Sequence, residues 1–230
     1  MRRALLIVGK APAPGQAKTR LVPPLSAQAA AELYRAFLLD TLDLAAGLGW
    51  ERVSLVHPAG AGAALRPLLP PPVTLCEQRG RGLGDALRHA FAEHLAQGFT
   101  RVVLIGSDTP SLPPTAVADG CAALATHDLS IGPSLDGGYY LLGLRTMQPA
   151  LFEAIDWSTP RVLAQTLARA SQLRLRVQRL PAWYDVDAPA DLERLQRELQ
   201  QAPATTAPHT RTTLARLRPP AELSLSAPTP

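Results

Sequence analysis

Short, continuous apolar runs alternate along the chain with longer stretches of helical periodicity. Residues 4–8 and 101–106 carry continuous apolar runs, the pattern of strands buried on both faces of a parallel sheet, and residues 52–57 and 73–76 read as two further strands. Between them, residues 26–46, 61–68, 85–97 and 114–125 carry apolar residues at helical spacing, with Ser26 placed to cap the first. Residues 129–133 and 138–144 predict two strands joined by the turn Ser134-Leu135-Asp136-Gly137, which adds a mixed region. Ser158 or Thr159 is positioned to cap a helix over 160–170. A last strand follows at 175–180, and a last helix opens at Pro189 and runs to Gln201. Strands alternating with helices predict one α/β domain, residues 1–201, with a mostly parallel, mixed central sheet flanked by helices. From Ala202 the chain turns to Pro, Thr and Ala with little to bury, which predicts a disordered tail over 202–230. There is no internal repeat.

Composition narrows the partners. A hydrophobic content of 47% over 230 residues supports a substantial core, while a net charge of +4 with 5% aromatics gives no basic stripe with stacking rings. Nucleic acid is therefore not an expected partner. The apolar run after Met1-Arg2-Arg3 ends at Gly9-Lys10, shorter than the roughly 7–15 residues of a secretory core. No window approaches the roughly 18 apolar residues of a membrane span. A cytoplasmic protein is expected, with Cys76 and Cys121 as buried free thiols. The scattered histidines predict no metal site. The pattern carries no information on oligomeric state.

The loop after the first strand, Gly9-Lys10-Ala11-Pro12-Ala13-Pro14-Gly15-Gln16-Ala17-Lys18-Thr19-Arg20, carries the first chemical signal. Gly9 and Gly15 allow close backbone approach, and the prolines stiffen the path between them. The chain has 23 Lys+Arg, yet Lys10 and Lys18 are its two lysines, and both lie here. A rigid loop with free amides and point charges at the end of a strand suits a phosphate. Gly9, Lys10, Gly15, Lys18, Thr19 and Arg20 are the phosphate candidates, with Gly82 of a second glycine-rich loop, residues 77–85. The loop is not a Walker A motif, which places Gly-Lys-[Ser/Thr] at a helix start, nor a G-x-G-x-x-G dinucleotide loop.

Acidic residues fall where an open α/β sheet binds ligands, beyond the carboxyl ends of strands. Asp108 follows the strand 101–106, Asp136 lies in a turn, and Asp185 and Asp187 lie in Tyr184-Asp185-Val186-Asp187. Asp108 with one of the later acids would hold Mg²⁺ or Mn²⁺ beside the cationic loop, since such ions take few carboxylates and keep sites for substrate phosphate. Asp187 has a competing use as the cap of the last helix. Asp136 is the candidate general base. Alternation along the strand sends one of Tyr139 and Tyr140 over the site. Tyr139 and Trp157 are the acceptor-side candidates.

Four blocks in order carry a resemblance. The loop resembles the K-x-P-x-P-G-x-x-K-T-R-L signature of bacterial arsenosugar-biosynthesis-type glycosyltransferases. Gly106-Ser107-Asp108-Thr109-Pro110, Gly132-Pro133-Ser134-Leu135-Asp136-Gly137-Gly138-Tyr139-Tyr140 and Ile155-Asp156-Trp157-Ser158-Thr159-Pro160 are similar to that family's blocks. The resemblance spans about residues 4 to 200. It implies a nucleotide-diphospho-sugar transferase (GT-A) fold and a metal-dependent glycosyltransferase using a nucleotide-diphospho-sugar donor. Asp185-Val186-Asp187-Ala188-Pro189 also resembles a block of nucleotidyltransferases, in which an Asp matching Asp187 joins the strand-end Asp on magnesium. Ser107-Asp108 departs from the Asp-x-Asp common in glycosyltransferases, and Ala188 and Ala190 replace the usual Thr and Glu. The resemblance therefore implies Lys18 and Asp108 in catalysis and Asp108 and Asp187 on the metal. Nucleotidyl transfer, from an NTP to a phosphorylated small molecule with pyrophosphate released, is the alternative. A non-catalytic nucleotide-binding domain is the third reading. The donor base and the small-molecule acceptor stay open.

Overall fold

The computed structural model describes residues 2–217. Strands β1 (Arg3–Val8), β2 (Arg52–His57), β3 (Val73–Glu77), β4 (Arg101–Gly106), β5 (Leu129–Pro133), β6 (Tyr139–Leu144) and β7 (Val177–Arg179) form one sheet in the order β3-β2-β1-β4-β6-β5-β7. β6 runs antiparallel to β4 and β5, and every other pairing is parallel. The carboxyl ends of β1, β4 and β5 and the start of β6 therefore share one rim. Helices α1 (Ala27–Gly47), α2 (Gly62–Leu65), α3 (Gly82–Ala96), α4 (Pro114–Ala123) and α5 (Val162–Gln172) connect the strands, and α6 (Pro189–Gln201) follows the last of them.

The continuous apolar runs exist because both faces of the sheet are covered. Leu5 and Ile7 of β1 and Val103 and Ile105 of β4 pack with α1 and α4 residues such as Leu38, Leu42 and Val117. The alternate positions, Ala4, Leu6, Val102 and Leu104, pack on the other face with Leu87 and Phe91 of α3. After β1 the chain crosses toward β2, while β4 lies on the other side of β1. The loops leaving β1 and β4 thus diverge at a switch point, the place where open α/β sheets take ligands. There Gly9 N–H donates to Val56 O at 3.1 Å and Ser107 N–H to Val8 O at 3.1 Å.

Several boundaries move for local reasons. α3 begins at Gly82, three residues ahead of the expected start, because Gly80 and Gly82 take φ of 88° and 77°. Asp85 then reaches back, and its Oδ2 accepts from Arg81 N–H at 2.8 Å. α5 begins at Val162, since Ser158 (φ 62°) and Thr159 form a turn before it. Cys121 is buried and Cys76 half-buried, both as free thiols.

The predicted disorder over 202–230 is corrected for its first part. A further helix, α7 (Pro208–Leu217), packs against α1. Buried Asp40 of α1 accepts from His209 N–H and Thr210 N–H, each at 2.9 Å, and from the Thr210 hydroxyl. Leu214 joins a third apolar cluster with Leu33 and Phe37 of α1 and Leu195 of α6. The prolines here delimit a helix rather than mark a linker, with Pro208 at its first turn. Arg211 donates to the carbonyls of Ala202, Pro203 and Thr206, which ties the start of α7 to the end of α6. Residues 218–230 of the predicted tail lie outside the described residues. No described helix is long and apolar enough to cross a membrane.

The edge strand β7 is fastened by Asp128, which accepts from Arg176 Nε at 3.1 Å and Nη2 at 3.0 Å. The guanidinium hydrogen bonds hold the Asp128 carboxyl down at about 2, against an ordinary 3.8. A depressed carboxylate adds stability above its unfolded pKa and loses it as pH falls through the folded one. Asp128→Asn is therefore expected to lower unfolding free energy by about 1 kcal/mol at pH 7, a figure discounted for the exposure of Arg176. The gap to wild type should close between pH 4 and pH 2 in urea titrations.

Candidate active site

The loop after β1 is pinned from below. Ala17 and Leu21 are buried in the cluster formed by α1 and α6. Lys18, between them, takes a left-handed conformation (φ 49°, ψ 42°) just before a 3-10 turn at Thr19–Leu21. That conformation costs a non-glycine residue about 1 kcal/mol or more, and it persists because the flanking side chains are anchored. It turns the Lys18 side chain inward, where 4% of it is exposed. Its Nζ lies 2.5 Å from Asp108 Oδ1 and 2.7 Å from Asp187 Oδ1. The rings of Tyr34 and Phe37 lie about 6 Å away, at 6.0 and 5.9 Å to their centroids. Burial works against the charged amine, but the two carboxylates outweigh it and hold the Lys18 pKa above its ordinary 10.5.

Tyr34 ties the two loops of the switch point together. Its hydroxyl accepts from Lys10 N–H at 2.9 Å and pairs with Ser107 Oγ at 2.9 Å. Burial, with the Asp108 charge, pushes this phenol up to about 12. Neither Tyr34 nor Ser107 was among the sequence candidates. Gly9 is needed for packing: a Cβ there would stand 3.1 Å from Leu55 and 3.4 Å from Ser107 Oγ.

The segment carrying Asp187 is fixed by its backbone. Val186 N–H donates to Asp108 O at 2.9 Å, and Trp183 N–H donates to Pro133 O at 3.0 Å. The competing use of Asp187 as a helix cap does not occur. Ala188 is the N-cap, and Asp191 Oδ2 accepts from Asp187 N–H at 3.1 Å and Ala188 N–H at 2.7 Å. Asp187 is thereby left for Lys18. Asp185, two residues earlier, accepts from Ser134 Oγ at 2.5 Å. Burial, and the charges of Asp108, Asp136 and Asp187, push its carboxyl up to about 6.

Lys10, Lys18, Thr19, Arg20, Asp108 and Asp187 line a small cavity of about 150 Å³. It shares Arg20, Asp108 and Asp187 with a cleft of about 490 Å³ that continues past Asp136, Gly138, Tyr139 and Trp157. Tyr139 lines this cleft, and its hydroxyl is buried without a partner among the described residues. Tyr140 turns into the core and donates to Pro181 O at 3.0 Å. Asp136 Oδ1 accepts from Gly138 N–H at 2.9 Å. Trp157 lies over the start of α3, where a Cβ on Gly84 would meet its Nε1 at 2.2 Å. Gly15 (φ 72°) and Gly82 (φ 77°) shape their turns and line neither space. A larger cavity of about 550 Å³ lies between α1, residues 110–114 and residues 205–208. Its lining includes Asp40, Asp43 and Glu198 and neither Lys nor Arg, so it does not suit an anionic ligand.

Asp108 and Asp187 fit a hard divalent ion. Each commits one oxygen to the ammonium, and both are 41% exposed toward the cleft. Two carboxylates leave coordination positions for water and a substrate phosphate, as Mg²⁺ prefers. Among the described residues there is no group of three or more His, Cys, Asp or Glu for a closed metal cage.

Comparison with known proteins places this architecture. A crystal structure of a protein assigned as a nucleotide-diphospho-sugar transferase, from Desulfovibrio desulfuricans, superposes with a TM-score of 0.86 at 33% identity, over 94% of this chain and 96% of that one. The fold is thus that of the nucleotide-diphospho-sugar transferases. A sequence family described as an uncharacterized protein conserved in bacteria (DUF2064) matches residues 41–159, and the chain belongs to it. The 3-phospho-D-glycerate guanylyltransferase of Phenylobacterium zucineum is 34% identical over 166 residues, 66% of this chain and 68% of the relative. The phosphoenolpyruvate guanylyltransferase of Mycobacterium marinum is 32% identical over 200 residues, 83% of this chain and 87% of the relative. A Mycobacterium tuberculosis protein crystallised with manganese shares the fold at 18% identity, with a TM-score of 0.54 over 86% of this chain and 98% of that one.

Proposed function

We propose that this chain is a metal-dependent nucleotidyltransferase, joining a nucleoside monophosphate unit from an NTP, GTP foremost, to a phosphorylated small molecule. The carrying observation is the Lys18 ammonium held between the Asp108 and Asp187 carboxylates in a cavity that Lys10 and Arg20 also line. The guanylyltransferase names of the relatives support this reaction over glycosyl transfer, the reading implied by the motif blocks, and supply the base. None of those names carries the arsenosugar assignment.

In the reaction a phosphate oxygen of the acceptor attacks the α-phosphorus. The new O–P bond forms as the bond from the α-phosphorus to the bridging oxygen breaks, and pyrophosphate leaves with the electron pair. Negative charge grows on the leaving group, so the residues that matter are cations fixed beside it. Lys18 is preorganised for this by burial, and Lys10 and Arg20 line the same cavity. Mg²⁺ or Mn²⁺ held by Asp108 and Asp187 would add Lewis-acid neutralisation of the phosphates. The manganese complex of the same fold supports a divalent ion without choosing between them. The nucleophile is already anionic, so no proton has to be removed and Asp136 has no base to be. Tyr139 and Trp157 form the wall on the acceptor side.

The test is a pyrophosphate-release assay with each NTP, Mg²⁺ or Mn²⁺, and a panel of phosphorylated acceptors, beside NDP release from NDP-sugars. Pyrophosphate from GTP in a metal-dependent manner is the expected result. NDP release from a nucleotide-sugar with no pyrophosphate from any NTP would restore glycosyl transfer. Nucleotide binding indifferent to divalent ions, with no turnover, would leave a binding domain.

A further inference from the structure

The charge distribution of the 490 Å³ cleft discriminates between acceptors, an inference that rests on the nucleotidyl-transfer reading. Four carboxylates line the cleft, Asp108, Asp136, Asp185 and Asp187, against Arg20 as the one lining cation among the described residues. Two of the four are accounted for. Asp108 and Asp187 share the Lys18 ammonium at 2.5 and 2.7 Å, which offsets one of their two charges, and the divalent ion of the proposed reaction would offset the rest. Among the described residues neither Asp136 nor Asp185 is paired with a cation: one accepts from a backbone amide and the other from the Ser134 hydroxyl. Arg161 belongs to the same segment as Trp157 and Pro160, but its side chain is 69% exposed, is paired with Asp156 at 3.2 Å and does not line the cleft. The remaining wall is largely apolar and aromatic, with Leu83, Tyr139 and Trp157, and Ser158 and Thr159 beside them.

We infer that Asp136 and Asp185 are specificity-determining residues, and that the acceptor is a phosphomonoester whose body is uncharged and hydroxyl-bearing rather than a phosphocarboxylate. The acceptor's phosphate needs cations, and these lie at the Arg20 end. The body of the acceptor then extends past Asp136, Asp185 and the Trp157 wall. A carboxylate there meets like charge in a confined space, where repulsion is weakly screened. Hydroxyl groups instead donate to the carboxylates, in hydrogen bonds strengthened by the charge of the acceptor oxygen, and an apolar edge packs on the indole. The inferred acceptor differs from the compounds for which the relatives are named, 3-phospho-D-glycerate and phosphoenolpyruvate, each of which carries a carboxylate as well as a phosphate.

The experiment measures pyrophosphate release from GTP with the full chain and one fixed metal. The acceptors are glycerol phosphate, a hexose 1-phosphate and phenyl phosphate, against 3-phosphoglycerate and phosphoenolpyruvate. At least a tenfold higher kcat/KM is expected for glycerol phosphate or the hexose 1-phosphate, with phenyl phosphate, uncharged but without hydroxyls, below them. Phenyl phosphate used best would overturn the hydroxyl-bearing part of the inference. Asp136→Asn and Asp185→Asn keep an oxygen for Gly138 N–H and Ser134 Oγ, so each turn can survive. The double variant is expected to narrow the preference at least threefold, chiefly through a lower KM for the phosphocarboxylates. Equal or better use of the phosphocarboxylates by wild type overturns the inference and leaves nucleotidyl transfer standing. An unchanged ratio in a folded double variant overturns the role of the two residues. Pyrophosphate from no acceptor, with NDP released from a nucleotide-sugar, removes the underlying reading instead.

Discussion

Lys18→Ala is expected to lower kcat/KM for pyrophosphate release by about 10²–10³ or more, the range found when one preorganised group facing developing charge is removed. The ammonium is buried, so bulk water does not replace it as it would at a surface lysine. Arginine is not a conservative replacement. Its planar fork is larger than the point charge seated between two carboxylates and two aromatic rings, so Lys18→Arg is expected to lose nearly as much. The same geometry predicts an opposite effect on metal. In the nucleotide-free protein the ammonium already cancels charge on Asp108 and Asp187. Removing it frees both carboxylates, so Mn²⁺ affinity without nucleotide should rise several-fold in Lys18→Ala while turnover falls. Calorimetry with Mn²⁺ alone reads the first effect and the pyrophosphate assay the second. Unchanged turnover would take Lys18 out of the chemistry. Unchanged metal affinity would mean the ion does not contact these carboxylates. Titration of Lys18 itself does not shape either measurement between pH 6 and 9. A lysine whose pKa is raised stays charged there, and its contribution to stability is lost only as pH rises through the folded value, above 10.5.

What the sequence makes legible follows from how local each signal is. β1 and β4 were readable because burial on both faces leaves nothing polar on successive residues, a property of five or six positions. The cationic loop was readable because glycine, proline and lysine each restrict chemistry on their own. Asp187 was ambiguous at that level: a carboxylate two residues before a helix-opening proline can cap or coordinate. The choice is made by Asp191, which fills the cap from the first turn and releases its neighbour. Tyr34 was invisible as a site residue. On a helix with apolar Leu33 and Phe37 beside it, its ring reads as core, and only the approach of Lys10 and Ser107 gives its hydroxyl a task. α7 was misread from composition, since its anchor is a single buried carboxylate, Asp40, some 170 residues away in the chain. Contacts of that range leave no local trace, and Pro and Thr dominated the pattern.

Gly137→Ala tests the wall that this account gives to the acceptor. Gly137 has φ of 90°, and a Cβ on it would stand 2.2 Å from Pro160 O and 2.7 Å from Pro160 Cα. Those are backbone atoms, so no side-chain rotation relieves the clash. The same glycine's carbonyl accepts from Leu163 N–H at 2.9 Å, which docks the start of α5 on the turn. Alanine at such a φ costs about 1–3 kcal/mol, and loss of the docking bond adds about 1 kcal/mol. A fall of about 3 kcal/mol in unfolding free energy is therefore expected, or a displaced 157–162 segment. The variant also separates the two halves of the cleft. Lys18, Asp108 and Asp187 are held by α1, β4 and the 183–188 segment, which bonds to residues 133–135 of the turn rather than to Gly137 itself. In Gly137→Ala, GTP affinity with metal should hold within about twofold while KM for the acceptor rises at least tenfold. Gly138→Ala is the control. Its φ is not positive, and its Cβ would meet Asp136 Oδ1 at 3.2 Å, so the cost should stay near 1 kcal/mol. Should Gly137→Ala keep wild-type stability and acceptor KM, the Trp157 segment is not seated on this turn and the acceptor binds elsewhere. A parallel loss of GTP affinity would mean that the two halves share one anchor and that the division between phosphate and acceptor ends is wrong.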